Sequence, residues 1–259
     1  MDLGLRGKRV VVTGASQGIG EGLAHAFAEE GANLHLVARS GDKLAELGRE
    51  LAASHGVDVR TQPLDLTAPG AAEQVAEEAA DVDVLVNNAG AIPGGNLWTV
   101  DAGKWRAGWE LKVLGYIDLT RLIYPVMKAR GAGVILNNIG NGGENFDFDY
   151  VAGSTGNASL MAFTRALGGR SLDDGIRVIG VNPGPVATDR IFNLLKARAL
   201  TRLGDAERYL EYLQQYPLGR AASVREVADL FVFLASDRSG YTSGAIFTVD
   251  GGITSRRSV

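Results

Sequence analysis

The chain has 259 residues, 46% of them hydrophobic, a formal net charge of -4 and no cysteine. That length and apolar share can bury a full core. The missing cysteines exclude disulfides and thiol nucleophiles, and basic residues dispersed along a mildly acidic chain offer no stripe for a nucleic acid.

In chain order, K-R-V-V-V-T at 8–13 reads as a first strand that runs into the glycine-rich T-G-A-S-Q-G-I-G and a helix through E-G-L-A-H-A-F-A-E-E. N-L-H-L-V-A, V-D-V-R-T, V-D-V-L-V-N, G-V-I-L-N, I-R-V-I-G-V-N and I-F-T-V-D read as six further strands. Between them lie amphipathic helices, among them a long one from Trp105 to Met127 and another after Tyr150. This alternation predicts an α/β fold, a parallel sheet covered by helices on both faces, in one domain over 1–259. Only 187–222 breaks the rhythm, with helical patterns and no strand, which suggests a lid or a helical pair that packs on a partner subunit. No run approaches the ~18 apolar residues of a membrane span and no apolar leader precedes the first strand, so a cytoplasmic protein with no membrane partner is expected.

The glycine-rich segment carries Thr13, Gly14, Ser16, Gln17, Gly18, Ile19 and Gly20 between a strand and a helix. Glycines there admit a pyrophosphate to the backbone, and the helix N-terminus faces it. At the end of the second strand, Ala38-Arg39-Ser40 holds no carboxylate for a ribose 2′-hydroxyl, while Arg39 and Ser40 can donate to a 2′-phosphate. NADP, as NADPH in the reduced form, is expected in preference to NAD.

Several motifs agree in order: T-G-x-x-x-G-I-G, L-D-L at Asp65, N-N-A-G at Asn87, Asn88, Ala89 and Gly90, then Tyr150, N-P-G-P-V-A-T from Asn182, and a closing S-G-A-I-F-T-V-D-G-G. In these the chain resembles the short-chain dehydrogenase/reductase family over nearly its whole length. The resemblance implies a single-domain, doubly wound Rossmann fold with seven parallel strands, a nicotinamide dinucleotide, and interconversion of a small carbonyl or alcohol substrate. It assigns Asp65 and Leu66 to the adenine, the Asn87–Gly90 motif to the cofactor wall, and Pro183, Gly184, Val186 and Thr188 to the nicotinamide end. Asparagines in such a motif also staple strands. A homotetramer or homodimer is implied, with Trp109, Leu114, Ile117, Leu160, Met161 and Phe163 suited to an interface or to the core.

The family's chemistry uses a serine, a tyrosine, a lysine four residues later and an asparagine. Aligned on Tyr150, the lysine position holds Ser154, the asparagine position Lys112 and the serine position Gly140, with the loop before Tyr150 about three residues short. Two readings follow. Lys112 is a relocated cation beside Tyr150, or the protein is a dinucleotide-binding sensor or scaffold without turnover. A single cation suffices: lowering a phenol from ~10 to ~7 takes ~4 kcal/mol, which a unit charge at ~4 Å supplies at an effective dielectric of ~20. Asn138, Asn141, the Gly140 amide and Ser154 are candidate donors in place of the serine. The acidic run E-N-F-D-F-D reads as a solvated or helix-capping loop. His25, His35 and His55 have no metal-ligand spacing, and no metal is expected.

Overall fold

The computed structural model describes residues 1–256. Seven parallel strands form one sheet in the order β3-β2-β1-β4-β5-β6-β7: β1 (Arg9–Thr13), β2 (Asn33–Ala38), β3 (Val59–Pro63), β4 (Val84–Asn87), β5 (Gly133–Asn138), β6 (Ile176–Pro183) and β7 (Ile246–Val249). The central strands are continuous runs of Val, Ile and Leu because helices bury them on both faces. Helices α1 (Gly18–Glu29), α2 (Gly41–His55) and α9 (Val224–Ala235) cover one face, where Leu23, Phe27, Leu44, Leu51 and Phe231 are fully enclosed. On the other face α3 (Ala71–Glu78) and α5 (Gly115–Arg130) bury Val75, Leu119, Ile123 and Met127. Beside them α6 (Val151–Gly168) packs Leu160 and Met161 against Tyr116 and Ile139. Seven-strand parallel order and two-sided helical cover are those of the Rossmann fold expected from the sequence.

The expected long helix from Trp105 is not uniform. It consists of α4 (Ala102–Trp109), a π-helical turn at Glu110–Leu114, and α5. The wider turn changes which side chains face the sheet, and Lys112 lies at its centre.

The strandless segment holds α7 (Asp189–Leu203), α8 (Tyr209–Leu213) and two short 3-10 turns. Its two ends are held together, since the Ala187 amide donates to the Ala222 carbonyl at 2.8 Å and the Ala222 amide to that of Pro185 at 2.9 Å. The excursion therefore leaves and rejoins the sheet at one point above its carboxyl edge.

The strand order reverses between β1 and β4, so the crevice beyond their carboxyl ends lies between the glycine-rich loop and N-N-A-G. Among the described residues, no helix is long and apolar enough to cross a membrane.

Candidate active site

The loop from β1 into α1 can approach a ligand because side chains are absent where they would obstruct. Gly14 and Gly18 adopt φ of 66° and 61°, which favour glycine. A Cβ on Gly20 would lie 2.1 Å from the Gly14 carbonyl oxygen, so helix and turn meet only without one. Gln17 precedes α1 without a side-chain cap, which leaves the first-turn amides directed outward. This cradle fits a dinucleotide pyrophosphate: open amides, no obstructing Cβ, and a helix N-terminus favouring negative charge. Ser16 and Ile19 flank it, and the Thr188 methyl lies 3.3 Å from where a Gly18 Cβ would be.

The wall opposite is built by asparagines. Thr13 Oγ1 accepts from the Asn88 and Ala89 amides at 2.8 and 3.1 Å, and Asn88 Nδ2 donates to the Thr13 carbonyl at 2.8 Å. Asn87 Nδ2 donates to Asn137 Oδ1 at 3.0 Å. Both asparagines thus staple strands, and in doing so they fix the height of Ala89 and Gly90. Asp65, expected at the adenine end, accepts from the Thr67 amide and hydroxyl at 3.0 and 2.8 Å, and those bonds hold its carboxyl below the usual range. Leu66 packs on the α3–α5 core, and Arg39 and Ser40 are exposed after β2. Pro183 closes β6, the Gly184 amide donates to the Val249 carbonyl at 2.9 Å, Val186 is buried, and Thr188 begins α7.

The chemical end departs from the arrangement that spacing alone suggests. Tyr150 is the residue before α6, with φ -141° and ψ 38°, and its backbone pairs with Gly95. Its ring folds over the first helical turn onto Gly153. A Cβ there would lie 1.9 Å from the Tyr150 Cζ, so only glycine accommodates the ring. The Tyr150 hydroxyl accepts from Arg190 Nη2 at 3.3 Å, and the same nitrogen donates to the Ile92 carbonyl at 3.1 Å. Arg190, in the first turn of α7, escaped the sequence reading. One sign was present: a cation in a helix's first turn opposes the macrodipole and calls for another reason to be there.

Lys112 enters the same chamber from the π turn. Its stem passes under Gly90, where a Cβ would lie 2.8 Å from the Lys112 Cδ, and its ammonium donates to the Ile139 carbonyl at 2.5 Å. Burial first, and the Arg190 charge second, lower it to about 7. Tyr116, whose hydroxyl donates to the Asn138 carbonyl at 3.0 Å, is pushed upward by burial. The hydroxyl of Tyr150 is thus bonded by Arg190, while Lys112 is bonded to the end of β5.

The candidate oxygen-stabilising donors diverge. Asn138 Nδ2 donates to Asn88 Oδ1 at 2.7 Å, and Asn141 Nδ2 points to Asp250 and Thr254 at 3.3 and 3.4 Å. Ser154 is buried with its hydroxyl accepting from the Asp147 amide at 3.4 Å, because the acidic loop folds back over that turn of α6. Gly140, at φ 111°, has its amide directed to the Val181 carbonyl at 3.4 Å. Asn157, which sequence reasoning overlooked, donates to the Gly140 carbonyl at 3.3 Å, and its Oδ1 is buried without a partner. The acidic loop is not merely solvated: Asp147 and Asp149 pair with Arg198 and Arg202 of α7 at 3.6 and 3.2 Å. His35 is a core residue bonded to Gln62 at 2.9 Å, and burial lowers its pKa.

This architecture has close counterparts. A family profile described as "Enoyl-(Acyl carrier protein) reductase" matches residues 14–254. The chain is 34% identical to the galactitol 2-dehydrogenase (L-tagatose-forming) of Cereibacter sphaeroides, covering 96% of each. It is 30% identical to the 2-keto-3-deoxy-L-fuconate dehydrogenase of Xanthomonas campestris pv. campestris, over 96% of this chain and 80% of that one. The crystal structure of L-sorbose reductase from Gluconobacter frateurii, complexed with NADPH and L-sorbose, superposes with a TM-score of 0.91 at 35% identity, covering 100% of both chains. The chain belongs to the short-chain dehydrogenase/reductase family, the NAD(P)-dependent oxidoreductases that interconvert alcohols and carbonyl groups.

Proposed function

We propose that this oxidoreductase prefers NADPH and reduces a small polyhydroxylated ketone, a ketose or keto-acid sugar derivative, to the alcohol. The observation that carries the reading is the Tyr150 hydroxyl, held over Gly153 above the carboxyl ends of the strands with a guanidinium 3.3 Å away. The sugar character of the relatives named above supports the substrate class, as does the polar floor of asparagines under N-N-A-G. Arg39 and Ser40, exposed with no carboxylate on that turn, support the 2′-phosphate.

When bound, the dinucleotide supplies the hydride. Tyr150 gives its proton to the carbonyl oxygen as the hydride adds to carbon, and is protonated again from solvent before the next turnover. Lys112, against Gly90 and lowered to about 7 chiefly by burial, would contribute part of a positive charge beside the cofactor wall, and it keeps the β5 end in place. The helices over 187–222 cover the cleft as a lid, and Ile191, Phe192 and Leu195 give it an apolar underside. The protein works in the cytoplasm as one domain, assembled as a homotetramer through α4, α5 and α6, where Leu114 is exposed. Light scattering on the purified protein checks the assembly.

The test is NADPH oxidation with L-sorbose, L-tagatose and keto-sugar acids. Ketose-dependent oxidation, faster with NADPH than with NADH, is expected. Tight NADPH binding with no oxidation across these substrates sinks the reading in favour of a sensor.

A further inference from the structure

We infer that Arg190, carried by the lid helix α7, is the cation of the catalytic site, and that Tyr150 and Arg190 together occupy the space left by a bare helix face at Gly153 and Asn157. The inference rests on the proposed role of Tyr150 as proton donor, and adds to it the group that stabilises the charge on the donor and on the substrate oxygen.

The helix register supports it. A tyrosine and a lysine spaced by four present one face of α6 to the cleft. Tyr150 and Ser154 have that spacing in sequence, but Tyr150 lies outside the helix and the Ser154 hydroxyl is taken by the Asp147 amide. The pair that does face Gly140 and the cleft is Gly153 and Asn157: the Tyr150 ring rests on the first, and the second donates to the Gly140 carbonyl. Counted from Gly153, the loop after β5 also recovers the three residues it lacked when counted from Tyr150. The helix thus presents neither a phenol nor a cation at that face. Tyr150 reaches it from the preceding turn, and its hydroxyl meets Arg190 rather than a charge on its own helix.

Arg190 is held for this purpose at its far end. One nitrogen bonds both the Ile92 carbonyl and the Tyr150 hydroxyl, and the guanidinium has other N–H groups to offer. Arg198 and Arg202, two and three helical turns further along α7, fasten the helix to Asp147 and Asp149, on the loop that ends at Tyr150. Lid, acidic loop and acid are therefore one connected unit. In the reduction, the Tyr150 O–H bond breaks as an O–H bond forms on the substrate oxygen, while the hydride forms the new C–H bond. The Arg190 guanidinium faces the phenolate left behind.

The experiment compares Arg190→Met, Arg190→Lys and Tyr150→Phe with wild type in NADPH-dependent reduction of L-sorbose and L-tagatose, alongside calorimetric NADPH binding. Arg190→Met is expected to lower kcat by about 10²- to 10³-fold, with NADPH affinity little changed, with added guanidinium ion restoring part of the rate and with Arg190→Lys retaining part. A wild-type kcat in Arg190→Met, without response to guanidinium, overturns the inference while Tyr150→Phe inactivity leaves the proposed function standing. Full activity of Tyr150→Phe removes the proposed function itself, and the pair with it.

A second readout needs no turnover. Lys112 donates to the Ile139 carbonyl, and the Arg190 charge from α7 adds to burial in lowering it. The Lys112 side-chain NMR titration, assigned with Lys112→Met, should move to higher pH in Arg190→Met. An unchanged midpoint places the guanidinium away from the cleft and overturns the inference.

Discussion

Gly153 is the residue on which the site's geometry turns. A methyl group there would lie 1.9 Å from Tyr150 Cζ, with helix backbone on one side and the ring on the other. Gly153→Ala should therefore leave α6 intact, since alanine favours helix, yet displace the ring. Its kcat should fall by about 10²-fold or more, within the range general acids contribute, at unchanged NADPH affinity; steady-state kinetics with calorimetry checks this. Lys112 offers a second test through pH. Its value falls from 10.5 in the unfolded chain to about 7 in the native protein. Between those values the unfolded chain holds a proton that the native state has released, so stability rises with pH across the window, and the full cost is present below 7. Urea denaturation at both ends of the window should show this rise in wild type, and a smaller rise in Lys112→Met.

At the scale of elements, the strands were legible because a parallel strand buried on both faces must be a run of β-branched and aliphatic residues, as in R-V-V-V-T and I-R-V-I-G-V-N-P. The cofactor loop was legible too, since Gly14, Gly18 and Gly20 each meet a separate steric need. The catalytic helix was not. A spacing of four between Tyr150 and Ser154 looks like one helix face, but says nothing of a tyrosine standing before the helix with its ring folded forward. Arg190 offered only its place in a helix's first turn as a sign, because its partner lies 40 residues away and is met only through the fold. The π turn at Lys112 has no residue pattern that distinguishes it from the helices it joins. The proposed lid role of α7 carries a prediction of its own. Exposed ion pairs are worth about 0.2–1 kcal/mol each and weaken with salt. Asp147→Asn with Asp149→Asn should raise KM for the ketose several-fold and remove most of its dependence on salt, measured by kinetics over an ionic-strength series.

For the whole molecule, the sheet's reversal between β1 and β4 opens a crevice flanked by two separate parts of the chain, the glycine-rich loop and N-N-A-G. On the proposed NADPH preference, the turn after β2, where Arg39 stands exposed, selects the 2′-phosphate, so Arg39→Asp should shift preference from NADPH toward NADH by about 10-fold or more, as loss of a charge-assisted contact to phosphate implies. Parallel titrations with the two reduced cofactors check it, and the ketose rate at saturating cofactor should be little affected. The chemical end depends on elements that approach from three directions, α5 with its π turn, α6 and the lid, and converge on Tyr150. The most direct measurement is therefore NADPH oxidation with a ketose by wild type and by Tyr150→Phe, both shown folded and binding NADPH. The account predicts turnover in wild type and a loss of about 10²–10⁴-fold in the variant. Equal rates in the two proteins would contradict it.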